Sequence, residues 1–335
     1  MVYCSLPANR AVGSIHVRKG DYDKAMEYYE KSMAVMEEIG DIYGIGAALN
    51  NMGNLHISKG ELDRALEFYM RGLGIFEKLG DKEGIANSLG NIGIVYKQRG
   101  EQGKALEFLG RSLEIREKIG DKMGIASSLV NIGIVYKQRG EQDKALEFYG
   151  RSLDIRERIG EKFGIANSLN NIGEIYYENG ELDKALEHYE KSVALCFDIG
   201  NKRSAIYALC GLAKAKLERG EARTALEHAE KAVHVSVEIG AKSEESMSRV
   251  VSGIVHREMK DWDRASEEFE KARASLEDMG EKVELARLSY EQAILSKFKG
   301  DHNHAKKCLD EALSEFERMD MEQWAGKCRK AIGEL

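Results

Sequence analysis

The chain has 335 residues, a formal net charge of −7, 34 glycines and a single proline. The acidic balance argues against a dedicated nucleic-acid binder, and abundant glycine with almost no proline and 32% charged residues argues against a turn-rich β protein. No stretch reaches the roughly 18 uncharged apolar residues of a membrane span, and the first twenty residues hold no continuous apolar run. We therefore expect a helical, cytoplasmic protein with no nucleic-acid partner and no membrane insertion.

Glycine sets a forty-residue period along the chain, and helical patterns fill the intervals. Leu89, Ile92 and Tyr96 recur at the spacing of one helix, and Ala105 and Leu109 at that of the next. A glycine follows each such helix, where it is expected to take the left-handed conformation that ends helices. These glycines are Gly20, Gly60, Gly100, Gly140, Gly180, Gly220 and Gly300, with Gly40, Gly80, Gly120, Gly160, Gly200, Gly240 and Gly280 midway between them.

Each repeat is thus predicted to be a helix hairpin, which is too small to bury a core alone. Neighbouring copies must stack in a linear array. We predict eight units, at residues 1–40, 41–80, 81–120, 121–160, 161–200, 201–240, 241–280 and 281–320. Residues 321–335 are expected to form a C-terminal capping helix with an apolar stripe of Met321, Trp324, Ala325, Cys328 and Ile332.

The repeat resembles a known family. In the fourth copy, Leu129, Ile132-Gly133, Tyr136, Ala145 and Tyr149 match the signature of tetratricopeptide (TPR) repeats. The forty-residue length, with a second helix that runs on to Gly instead of Pro, is similar to Pins/LGN-type scaffolds and prokaryotic signalling arrays. The resemblance implies an all-α, right-handed superhelical solenoid of antiparallel helix hairpins. It also implies a concave wall built from the first helix of each pair, and partner binding in place of catalysis.

Helical angles separate a second face of each first helix from its apolar face. This polar face carries few charges, whereas the second helix presents Glu107, Arg111, Glu114 and Lys118, as a water-facing surface would. We therefore expect the polar face to form a groove for a protein or peptide ligand. Its predicted residues are Asn50, Asn51 and Asn54 in the second copy, Asn87, Asn91, Ile94, Lys97 and Gln98 in the third, Asn131, Ile134, Lys137 and Gln138 in the fourth, and Asn167, Asn170, Asn171, Glu174 and Tyr177 in the fifth.

Asn51, Asn91, Asn131 and Asn171 repeat at one helical phase. An amide offers a donor and an acceptor, so a row of amides can hold an extended backbone. The alternative is that each Asn bonds a neighbouring helix or loop. In TPR proteins an Asn at this phase faces the bound peptide, although the Arg-rich flank of Pins/LGN grooves is missing here. The third and fourth copies each carry a net charge of +1 and the fifth −5, which favours a ligand of matching polarity unless the pattern is incidental.

Residues that could carry other chemistry are sparse. The chain has no Gly-rich phosphate loop, H-E-x-x-H or G-x-S-x-G motif, so we expect no enzyme activity, cofactor or metal. His302 and His304 do not share a helix face. His16, His56 and His256 occupy the Tyr phase of their helices, where packing is the simplest role. The five cysteines, Cys4, Cys196, Cys210, Cys308 and Cys328, are expected to be buried free thiols.

These observations favour a non-catalytic protein-protein interaction scaffold. Two alternatives stay open. The array could self-associate as a structural scaffold, since the similar third and fourth copies favour growth by duplication. It could also be the sensor or regulatory part of a larger signalling protein, because the first copy, beginning MVYCSLPANR, lacks the usual lead-in.

Overall fold

The computed structural model describes residues 12, 13, 15, 16 and 21–335, and within them every regular element is a helix. The predicted all-α class is confirmed. Cys4 and Gly20 lie outside the described residues, as does most of the opening of the predicted first unit. No described helix is long and apolar enough to cross a membrane.

The helices are α1 (Tyr22–Ile39), α2 (Ile42–Ser58), α3 (Leu62–Leu79), α4 (Lys82–Gln98), α5 (Gln102–Ile119), α6 (Lys122–Gln138), α7 (Gln142–Ile159), α8 (Lys162–Glu178), α9 (Leu182–Asp198), α10 (Lys202–Glu218), α11 (Ala222–Glu238), α12 (Lys242–Glu258), α13 (Trp262–Met279), α14 (Lys282–Phe298), α15 (His302–Arg318) and α16 (Glu322–Gly333).

The helices fall into two compact units, Met1–Gly160 and Glu161–Leu335. In the first unit, α2, α4 and α6 pair with α3, α5 and α7 as successive hairpins. Glycine permits each close pairing. A Cβ built on Gly53 or Gly133 would lie 2.5 Å from the ring of Tyr69 or Tyr149. Nothing larger than a hydrogen fits at these two positions without movement of a ring.

Helix ends follow the glycine grid. The described grid glycines all have positive φ, as at Gly120 (φ 74°) and Gly160 (φ 69°), so the predicted left-handed endings are confirmed. In the first unit, the first helices α4 and α6 begin on an acidic cap: the Asp81 and Asp121 side chains accept from the backbone N–H of the residue three places on, at 3.1 and 2.9 Å. The grid glycines and the capping side chains thus mark where these helices end and begin.

A buried serine joins the two helices of a hairpin. The Ser112 Oγ donates to the Ala86 carbonyl at 2.7 Å, and the Ser152 Oγ donates to the Ala126 carbonyl at 2.9 Å. In the second unit the Ser192 hydroxyl repeats the bond across the same 26-residue interval. The bond satisfies a hydroxyl that is fully buried between the helices.

Stacked rings close hairpins of the first unit at the other end of the first helix. The Tyr96 and Phe108 rings stack at 5.4 Å, and His56 replaces Tyr on Phe68 at 5.1 Å. His56 and His256 are each 4% exposed, so the predicted packing role of these two histidines is confirmed.

In the second unit, α8 to α15 pair in the same way and α16 packs on α15. Trp324 of α16 stacks on Phe316 with ring centroids 5.4 Å apart and meets the Tyr290 ring edge-on at 5.9 Å. Four cysteines, Cys196, Cys210, Cys308 and Cys328, are buried free thiols, as predicted. Burial raises the pKa of Cys210 to about 12, which keeps this thiol protonated.

Candidate functional site

The first helices of the first unit expose the polar face that the sequence predicts. Apolar residues of these helices, such as Leu89 and Ile92, are fully buried. The predicted groove residues on the other side are half-buried or exposed. Asn50, Asn51, Asn91, Asn131, Ile94, Ile134, Lys97 and Lys137 are half-buried, and Asn54, Asn87, Gln98 and Gln138 are exposed.

The asparagines at the shared phase differ in what they bond. The side-chain amides of Asn51 and Asn91 make no hydrogen bond within the described part of the chain. The Asn131 Oδ1 accepts from the Lys97 Nζ at 2.9 Å, and its Nδ2 donates to the Ser127 carbonyl at 3.1 Å. Two of the three amides in this unit therefore keep their full hydrogen-bonding capacity, and the third has half of it engaged.

The Lys97 side chain makes a contact within the protein. Its ammonium reaches from α4 to the Asn131 amide on α6, and burial lowers its pKa. Because the hydrogen bond spans two successive first helices, it fixes their spacing along the face. A ligand that recruited the Lys97 charge would have to break this bond.

Three further asparagines also bond within the protein. The Asn50 Nδ2 donates to the Ser88 Oγ at 3.0 Å, and the Asn54 Oδ1 accepts from the Tyr69 hydroxyl at 2.6 Å. The Asn87 Oδ1 accepts from the Arg116 Nη2 at 2.7 Å. For these residues the structure shows the alternative interpretation, in which mid-helix asparagine links neighbouring helices.

In the second unit, α8 carries the predicted residues of the fifth copy. Asn167, Asn170, Asn171 and Glu174 are half-buried, and the Asn170 Oδ1 is buried without a hydrogen-bond partner in the described part of the molecule. The Tyr177 hydroxyl donates to Glu218 on α10, and burial, followed by the Glu218 carboxylate, raises the pKa of Tyr177. Tyr177 thus presents its ring at the face while its hydroxyl is already bonded.

A deeper feature of the second unit was not predicted. A cleft of about 580 Å³, which we call the second-unit cleft, lies among α8, α10, α12, α13, α14 and α16. Its lining includes Tyr207 and Lys214 of α10, Met247, Val250 and Ile254 of α12, and Trp324 of α16. Trp324 was expected only to fill the stripe of a capping helix.

The signal for this cleft was present in the sequence. Positions 207, 214, 247, 250 and 254 continue the helical phase of the predicted groove by whole forty-residue steps. In the sixth copy the Gly and Tyr of the signature give way to Ala213 and Lys216. The helical phase of the groove continues where the signature residues are replaced. Extending this phase beyond the fifth copy therefore identifies residues that line the cleft.

No cluster of three or more His, Cys, Asp or Glu side chains suited to a metal ion occurs among the described residues. His302 and His304 are exposed, and the His304 Nε2 lies 3.6 Å from the Cys308 Sγ.

A family model of the tetratricopeptide repeat matches residues 5–78, 44–118, 85–158 and 164–235. No curated protein sequence matches the chain significantly. Among solved structures, the apo form of RapI is 17% identical, with a TM-score of 0.69 over 82% of this chain and 99% of that chain. The Rap conjugation gene regulator of plasmid pLS20, solved with the Phr* peptide, is 13% identical, with a TM-score of 0.66 over 90% and 86%. A Pyrococcus horikoshii signal transduction ATPase with a tetratricopeptide repeat sensor is 17% identical, with a TM-score of 0.61 over 95% of this chain and 49% of that chain. At these identities the likeness shows the fold.

Proposed function

This chain belongs to the tetratricopeptide repeat family, and we propose that it is a non-catalytic scaffold whose polar face binds an extended peptide segment of a partner protein. The observation that carries the proposal is the pair of side-chain amides on Asn51 and Asn91, which no group in the described part of the chain engages. Both are half-buried and remain accessible to a ligand. An unengaged amide offers a donor and an acceptor that match those of a peptide bond.

The neighbouring residues suit the same ligand. Half-buried Ile94 and Ile134 can receive apolar side chains beside the backbone-binding amides. The opposite surface has a different character, since Glu107, Arg111, Glu114 and Lys118 are all exposed and Lys118 pairs with Glu114 at 2.6 Å. The charged surface of α5 is therefore suited to water, whereas the polar face of the first helices is suited to a partner.

A relative supports this proposal. The pLS20 Rap regulator was solved with a bound peptide, and its fold extends over 90% of this chain. The identity of 13% transfers the fold only, so the peptide ligand is our inference for this protein.

The proposal is tested with a phage-displayed library of random dodecapeptides. Peptides selected on the wild-type protein are synthesised, and their Kd is measured for the Asn51→Ala/Asn91→Ala double variant. We expect the Kd to rise about tenfold, because each lost hydrogen bond contributes roughly 0.5–1.5 kcal/mol. Asn179→Ala, an exposed asparagine off this face, is the matched control and should leave the Kd unchanged. Unchanged affinity of the double variant with intact helicity would overturn the proposal.

Two other roles predict different results. A self-assembling scaffold would gain mass with concentration in light scattering. A sensor in a longer signalling protein would be encoded together with an effector domain, as the P. horikoshii ATPase with its repeat sensor illustrates.

A further inference from the structure

We infer that the second-unit cleft receives a peptide segment in which an apolar side chain stands beside a lysine or arginine. The inference deepens the proposed function, because it gives the second unit a ligand chemistry of its own. It depends on three features of the cleft: an apolar floor, a fixed aromatic wall and an excess of carboxylates in the lining.

The floor is apolar where the first unit is polar. Met247, Val250 and Ile254 of α12 are half-buried and line the cleft. At the phase of Met247, the third and fifth copies carry Asn87 and Asn167. Apolar side chains at a water-facing phase leave accessible apolar surface, which a ligand side chain can cover favourably.

The wall is held rigidly. The Trp324 ring stacks on Phe316 at 5.4 Å and meets Tyr290 edge-on at 5.9 Å. The Arg287 guanidinium lies over the same ring, 5.3 Å from its centroid. A wall fixed on several sides loses little side-chain entropy when a ligand packs against it.

The charged groups of the lining are mainly carboxylates. Lys214 and Arg287 are the basic members, and Arg287 already donates to the Glu284 Oε1 at 2.8 Å. The acidic members are Glu174, Glu244, Glu281, Glu284 and Glu291.

Two of these carboxylates are fixed by arginines outside the lining. The Glu291 Oε2 accepts from Arg257 at 2.7 Å, and the Glu244 Oε1 lies 3.2 Å from the Arg203 Nε. Glu281 is exposed and has no ion pair in the described part of the chain. Because Glu244, Glu284 and Glu291 are already paired with arginines, the charge argument rests on Glu281. A Lys or Arg beside an apolar side chain would complement this carboxylate and the apolar floor together.

The volume agrees with a ligand of this size. Pockets for small ligands measure roughly 300–1,000 Å³. A cleft of about 580 Å³ therefore has room for a short segment of a peptide and not for a folded domain.

The test uses the full chain and the dodecapeptide library. We expect selected peptides to be enriched in Lys or Arg next to Leu, Ile, Met or Phe. The Kd of such a peptide should rise about tenfold for Glu281→Lys and for Met247→Asn, which places at this phase the residue that the third and fifth copies carry. Glu227→Lys makes the same charge change at an exposed site outside the cleft lining and should change the Kd less than twofold. Circular dichroism checks that each variant is folded.

The outcomes separate the two proposals. Peptides that weaken on the Asn51→Ala/Asn91→Ala variant but bind Glu281→Lys and Met247→Asn as tightly as wild type overturn this inference and leave the proposed function standing. Peptides whose Kd rises for Glu281→Lys and Met247→Asn but not for the Asn51→Ala/Asn91→Ala variant support this inference. They overturn the proposed peptide-binding role of the first unit. A library that yields no binding peptide overturns both.

Discussion

Two glycines of the fourth copy have opposite surroundings although both lie inside helices. A Cβ on Gly133 would come within 2.5 Å of the Tyr149 ring, whereas a Cβ on Gly150 would meet no atom within 4 Å. Gly133 is required by the close approach of α6 and α7, and Gly150 is not required by packing. The same residue type therefore stabilises the fold at one position and weakens a helix at the other.

Substituting these glycines by alanine should shift stability in opposite directions. Gly133→Ala is expected to lower the free energy of unfolding by about 1–3 kcal/mol, because the tyrosine ring must move. Gly150→Ala is expected to raise it by about 0.5–1 kcal/mol, because alanine favours the helix. Urea denaturation followed by circular dichroism measures both. A loss of stability in both variants would contradict the conclusion that a methyl group fits at Gly150 but not at Gly133.

At single residues, the sequence predicts phase but not hydrogen-bond partners. It places Asn91 and Asn131 on the same stripe of their helices, and in the structure both are half-buried on that stripe. It did not reveal that Lys97 reaches the Asn131 amide, because that contact depends on how closely α4 and α6 approach. Phase is a property of one helix, whereas a partner depends on the packing of two.

Between elements of the first unit, exposed ion pairs link successive copies, and this series is interrupted at Gly103. Lys59 pairs with Asp23 at 2.8 Å, and Arg99 pairs with Asp63, each across 36 residues. The next acidic position is occupied by Gly103, and Arg139 turns to Glu141 at 2.9 Å. The sequence period alone identifies this interruption, since the duplicated copies differ there.

Restoring the missing acid should strengthen the link between α5 and α6. Gly103→Asp is expected to be more stable than the uncharged Gly103→Asn by about 0.5 kcal/mol, which is typical of an exposed pair. A Cβ at Gly103 meets no atom within 4 Å, so both side chains fit. The difference should shrink in an Arg139→Gln background and at high salt, both measured by urea denaturation. An advantage that persists in the Arg139→Gln background would assign the effect to the helix N-terminus instead.

Over the whole molecule, the period predicts the helices well and the binding features only in part. The described helices up to Arg318 end in register with the twenty-residue spacing of the glycines, and where glycine is replaced, Lys260 and Asp320 take the left-handed conformation in its place. The second-unit cleft needs side chains from α10, α12, α14 and α16 together, and Trp324 reaches it from beyond the last full repeat. Features that require several copies at once cannot be read from the signature of one copy.

Within each unit the described helices pack extensively only against helices one or two places away along the chain. The effect of a destabilising substitution should therefore stay local. Phe316 is fully buried in the last hairpin, and Phe316→Ala is expected to cost about 3–5 kcal/mol there. Hydrogen exchange with mass spectrometry should then show faster amide exchange in residues 281–335, because local opening becomes easier. Exchange in residues 21–120 should match the wild type, and Glu315→Ala, on the half-exposed side of the same helix, serves as control. Uniform acceleration along the chain would instead show that the two units unfold as one cooperative body.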